Sequence, residues 1–147
     1  MPGIGVASRL LTLGDPHGPA LSVPTLAQAP EAAWYDFSAV PGTRGNAVLV
    51  GHVDTYTGPG VFYNLYRLQP GTHFYVTIGS RRLRFVVQGV TEVSKDLFPV
   101  NRIFGATTSR HLWIITCGGA FDYITRHYMD NIIVSAAYQP ARRNQRH

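Results

Sequence analysis

The 147-residue chain reads as an all-β domain. Three observations predict this. The apolar stretches are short and punctuated by glycine and proline, several alternate with a period of two, and no segment holds a helical period beyond about two turns. A chain of this size fits one domain, which typically takes roughly 100–200 residues, and it can bury a core without covalent staples. So many short strands need protected edges, and a closed or nearly closed β-barrel of seven or eight strands is the economical way to supply them.

The elements follow in order. Ile4-Gly5-Val6-Ala7-Ser8-Arg9-Leu10-Leu11 opens the patterned region, and residues 27–34 are the first place for a short helix. Ala47-Val48-Leu49-Val50 is an apolar strand that ends at Gly51-His52-Val53-Asp54, and residues 62–68 can make two helical turns after Gly58-Pro59-Gly60. Pro70-Gly71-Thr72 marks a turn. Phe74-Tyr75-Val76-Thr77-Ile78 and the strand opened by Leu83-Arg84-Phe85-Val86-Val87 form a hairpin across Gly79-Ser80-Arg81-Arg82, and the second strand continues to Val93 with a bend or bulge expected at Gly89. Leu112-Trp113-Ile114-Ile115-Thr116 delivers Cys117 into a Gly118-Gly119 turn, and Asp130-Asn131 introduces the last strand, Ile132-Ile133-Val134-Ser135-Ala136-Ala137.

The formal charge of +5 comes almost wholly from arginine, with Lys95 the only lysine. Arg142, Arg143 and Arg146 fall in the terminal stretch, so residues 141–147 are expected to be a basic, disordered tail and residues 1–140 a single domain. No basic and aromatic interleaving supports nucleic-acid binding. No run of about eighteen apolar residues or signal-peptide profile is present. A lone cysteine cannot form an internal disulfide, which leaves the compartment open.

Cys117 is the residue around which a chemistry can be built. A strand that hands a thiol to glycines lets a substrate carbonyl approach the backbone, whereas a cysteine that only packs needs no such setting. The thiolate is the reactive form and requires a partner. His52, at the end of its own strand, is the best placed of six histidines. Arg126, shortly after the cysteine, and the amide of Gly118 could hold the negative charge that develops on an attacked carbonyl. A rival reading takes His52 and Asp54 as the His-X-Asp element of a dinuclear zinc site. It lacks ligands, since the chain has only Glu31 and Glu92 as glutamates and neither adjoins another acid.

The combined pattern resembles the sortases, the cysteine transpeptidases that attach proteins to the cell wall of Gram-positive bacteria. Gly51-His52-Val53-Asp54 is followed by Gly58-Pro59-Gly60-Val61-Phe62-Tyr63. Cys117 sits in Ile115-Thr116-Cys117-Gly118-Gly119-Ala120-Phe121-Asp122, and the last strand opens His127-Tyr128-Met129-Asp130-Asn131. The set is most similar to class F sortases of high-GC organisms, over residues 4–137. The resemblance implies an eight-stranded closed sortase barrel and needs no metal or cofactor. Its implied catalytic residues are His52, Cys117 and Arg126, with Arg102 a weaker substitute for the arginine. Asp54, Thr116 and Gly118 would support them, and Phe98 would wall the peptide groove. The implied substrate is a Leu-Pro-X-Thr-Gly-like sorting signal, cleaved after threonine through a thioacyl-enzyme and passed to an amine of peptidoglycan or another protein. The implied place is the outer face of the plasma membrane, held by an amino-terminal anchor that this chain does not include. A calcium site is not expected. A sortase-like hydrolase and a noncatalytic β-barrel binding module stand as alternatives; an idle scaffold has no reason to place its only thiol, a histidine and an arginine at three element ends.

Overall fold

The computed structural model describes residues 1, 6–14, 28–55, 58–125 and 127–140. Among these run nine strands: β1 (Leu10–Leu13), β2 (Ala32–Tyr35), β3 (Gly45–Val50), β4 (Asp54–Thr55), β5 (Gly58–Pro59), β6 (His73–Ile78), β7 (Arg81–Ser94), β8 (Arg110–Asp122) and β9 (His127–Tyr138). One helix, α1 (Val100–Phe104), and 3-10 turns at Leu65–Arg67 and Lys95–Leu97 complete them. Seven strands form one curled sheet in the order β1-β2-β3-β8-β9-β7-β6, and β4 pairs with β5.

The all-β class is the one expected. The sheet is a half-barrel whose edges β1 and β6 share no ladder among the described residues. A groove lined by Phe74 and Val76 of β6 and by Met1, Val6 and Leu10 lies there, and the last three pack against the interior cluster.

Burial explains the sequence pattern. In β6, Phe74 and Val76 are buried while His73 and Tyr75 are exposed, which is the alternation of a strand with one wet face. Phe74 stacks on Phe85 across the hairpin with centroids 5.7 Å apart. By contrast β3, β8 and β9 are covered on both sides. Leu49, Ile114 and Val134 join the barrel interior, while Val50, Ile115 and Ile133 join a second cluster on the other face, roofed by Ile103 of α1 and Phe98. Those stretches therefore read as continuous apolar runs. The bulge expected near Gly89 is present, with the β7–β9 register shifting between Val87 and Gly89.

Three local expectations change. Ala32–Tyr35, inside the segment expected to be helical, is β2, ladder-paired with β1 and β3, and Ala33 and Tyr35 are almost wholly buried. Tertiary pairing overrides the helical preference of alanine. The glycines after Cys117 do not end the strand: β8 runs on to Asp122 with a register shift between Gly118 and Phe121. The last strand starts at His127, where the motif resemblance opened it, and not after Asp130-Asn131 as turn chemistry suggested. The tail at 141–147 lies outside the described residues.

Helix α1 is fixed to the barrel by Asn46. Its Nδ2 donates to the carbonyls of Gly105 and Arg102 at 2.9 and 3.3 Å, while its Oδ1 accepts from Trp113 Nε1 at 3.0 Å. Beside it His111 lies against Trp113, with Nε2 2.9 Å from Ser135 Oγ. Burial, and then the Arg102 charge, push this imidazole below the usual value of 6.5. The unfolded chain therefore binds the proton more readily, so the stability His111 contributes is full above the ordinary histidine range and is lost as pH falls through it. Urea midpoints are expected to drop between about pH 8 and pH 5.5, and His111→Gln should flatten part of that slope.

Candidate active site

The site is built on two neighbouring parallel strands. β3 and β8 pair in register from Gly45↔Arg110 to Val50↔Ile115. Gly51 N continues the ladder to Ile115 O at 3.3 Å, and Thr116 Oγ1 donates to Gly51 O at 2.7 Å. Parallel strands end at the same side of a sheet, and neighbours lie about 4.8 Å apart. Residues 52 and 117 each lie two places beyond the last registered pair, so the chain leaving β3 runs out of the sheet beside the stretch of β8 that carries Cys117. On the other flank Cys117 stands opposite Asn131 of β9.

The chain after His52 is held tightly. His52 O accepts from Phe62 N at 3.0 Å and Val53 O from Gly60 N at 2.9 Å, drawing the β4–β5 arm back over the strand end. A Cβ at residue 60 would sit 2.4 Å from His52 O, so only glycine permits that approach. The imidazole is half-buried. At residue 118 a Cβ would meet Ile132 Cγ1 at 2.6 Å, which accounts for the glycine that follows the cysteine.

A cleft of about 240 Å³ opens beside these strand ends, lined by Val53, Phe62, Tyr63, Tyr66, Glu92, Thr116, Gly118, Tyr128 and Ile132. Its rim is acidic and phenolic. Tyr128 Oη donates to Asp54 Oδ2 at 2.5 Å, tying β9 to the arm beyond His52. The Glu92 carboxyl shares a hydrogen bond with Asp130, and this, then burial and the neighbouring charge, hold it above the usual carboxylate range. At the far end of β8, Asp122 Oδ1 accepts from Ile124 N and Thr125 N at 2.8 and 3.3 Å, which shapes the turn before residue 126 and holds that carboxyl below its usual range.

Of the residues singled out in the sequence, the structure brings positions 52, 116, 117 and 118 together at one end of the sheet and places Asp54 close by. Phe98, in the β7–β8 connection, packs on the second cluster. Arg126 lies outside the described residues. Arg102 sits over the Trp113 ring, 5.4 Å from its centroid, four residues back along β8 from Cys117. Tyr128 and Asn46 were missed by sequence reasoning, because their partners lie 74 and 67 residues away and nothing local marks either contact.

Thr116 gives a direct test of the strand coupling. It is 3% exposed, so Thr116→Val removes a buried donor and leaves Gly51 O without it. A loss of about 1–3 kcal/mol is expected, read as a lower urea midpoint at unchanged slope.

Comparison with known proteins bears on this arrangement. The Sortase domain family matches residues 1–139, and the chain belongs to the sortase family. Among solved structures it is similar to a lid mutant of sortase A from Corynebacterium diphtheriae (TM-score 0.71, 18% identity, 98% of this chain and 69% of that one). It is likewise similar to sortase C1 from Streptococcus agalactiae (TM-score 0.72, 17% identity, 96% and 65%). A third likeness is to the sortase D5 transpeptidase of Clostridium perfringens (TM-score 0.67, 19% identity, 94% and 74%). The chain spans from 53% to 74% of the length of such structures. No curated protein matches it. Among the described residues no helix is long and apolar enough to cross a membrane.

Proposed function

We propose that the chain is a cysteine transpeptidase that cleaves a Leu-Pro-X-Thr-Gly-like sorting signal after threonine and transfers the acyl group to an amine. The observation that supports this reading is the in-register parallel pairing of β3 and β8, the two strands that lead to His52 and Cys117, in a chain of the sortase family.

The Cys117 thiolate attacks the threonine carbonyl, with Arg126 and the Gly118 amide stabilising the oxyanion. Collapse breaks the Thr–Gly bond while the His52 imidazolium gives its proton to the leaving glycine amine, leaving a thioacyl-enzyme. An incoming amine loses a proton to His52 and attacks the thioester. Its collapse forms the new amide and restores the thiolate. Asp54, fixed by Tyr128, and Thr116, bonded to Gly51, hold the segment that carries His52. Phe98 walls the peptide groove. The sorting signal belongs to surface proteins, the amine to peptidoglycan or another protein, and the setting is the outer face of the plasma membrane.

The test mixes the protein with Leu-Pro-X-Thr-Gly peptides, with and without triglycine, and follows products by mass spectrometry. A ligated product supports transfer. An acid product alone means a hydrolase, and no product from any such peptide removes the reading.

A further inference from the structure

A second groove lies on the outer face of β8, β9 and β7. It holds about 380 Å³, with Leu97, Pro99 and Arg102 on one wall and Trp113, Ile133 and Ser135 opposite. Trp113 lies on the face of β8 that carries the second cluster, four residues before Cys117 along the same strand. The groove therefore lies along the strand that carries the position proposed to react.

Its charge is one-sided. Arg102 stands over Trp113 in a cation–π contact, and the Asn46 clamp on its own carbonyl fixes its backbone. Among the described residues no carboxylate lies within ion-pair distance of Arg102. A guanidinium laid against an aromatic face keeps in-plane N–H donors for a carboxylate.

Register sets which substrate residue would meet it. Four residues separate Trp113 from Cys117, about 13 Å at roughly 3.3 Å per residue. An extended peptide with its threonine carbonyl at Cys117 covers that distance in four residues, which reaches the position just before the leucine of Leu-Pro-X-Thr.

We propose that Arg102 and Trp113 form a specificity subsite that selects an acidic residue immediately amino-terminal to the sorting-signal leucine. This rests on the transpeptidase reading above and adds to it a preference that the five-residue motif does not contain. Charge complementarity at an exposed site gives a modest, salt-sensitive effect.

The experiment measures kcat/KM for ligation to triglycine with peptides Z-Leu-Pro-X-Thr-Gly, where Z is Glu, Gln or Lys. Wild type is expected to prefer Glu over Lys by about three- to tenfold, with the ratio shrinking at high salt. Arg102→Gln should bring the ratio close to one, and Arg102→Glu should invert it. Equal rates for all three peptides in wild type, or a Glu preference that persists in Arg102→Glu, overturns the subsite while leaving transpeptidation intact. Absence of turnover with every peptide overturns the transpeptidase reading and the subsite with it.

Discussion

Cys117→Ala is expected to abolish both ligation and hydrolysis of a Leu-Pro-X-Thr-Gly peptide, leaving less than about one part in 10⁴ of wild-type turnover. The magnitude follows from covalent catalysis. Without sulfur no thioacyl-enzyme forms, and a positioned histidine acting on water has only a poor route to the amide. The fold should survive, because residue 117 takes part in β8 through its backbone, opposite Asn131, and the chain has no disulfide to lose. A melting curve close to wild type beside a flat product trace is the expected pair of results. Turnover near wild type would remove the thiol from the mechanism.

His52→Ala is expected to cost about 10²–10⁴ in kcat/KM, the range of a positioned acid–base group. Both half-reactions should slow, since the imidazolium protonates the first leaving amine and the imidazole deprotonates the second. A merely structural histidine would behave differently. Backbone restraints on residue 52, Phe62 N→His52 O and the close approach of Gly60, persist in alanine. The fold should therefore be retained while single-turnover acylation falls. Near-normal acylation in a stable His52→Ala protein would assign proton transfer to another group.

The architecture was legible in the chain wherever one face of a strand is wet. The hairpin of β6 and β7, its Gly79 turn at φ +58° and the bulge before Gly89 follow from alternation and turn chemistry. Local pattern failed where tertiary pairing decides. The alanines of β2 look helical and become a strand because β1 and β3 flank them, and the glycines after Cys117 look like a turn yet sit in a continuing ladder. Edge pairing between β1 and β6 likewise depends on geometry that no local pattern encodes.

Residue types next to apolar runs pointed to positions 52 and 117, and the parallel β3–β8 register runs the two strands that lead to them side by side although 65 residues separate the positions. No local rule brings parallel strands together, so that convergence was an expectation carried by motif resemblance. The Tyr128–Asp54 and Asn46–Trp113 bonds were invisible for the same reason. Each joins elements far apart in sequence, and neither residue type is unusual in its own neighbourhood.

The central claim is that Cys117 carries the acyl group between two amines. Intact-protein mass spectrometry of an acid-quenched mixture with a Leu-Pro-X-Thr-Gly peptide, without acceptor, tests it most directly. The predicted result is a mass gain equal to the Leu-Pro-X-Thr acyl fragment, mapped to residue 117 after proteolysis and lost when triglycine is added before quenching. Peptide turnover with an unmodified protein, or with the adduct on any other residue, would contradict it.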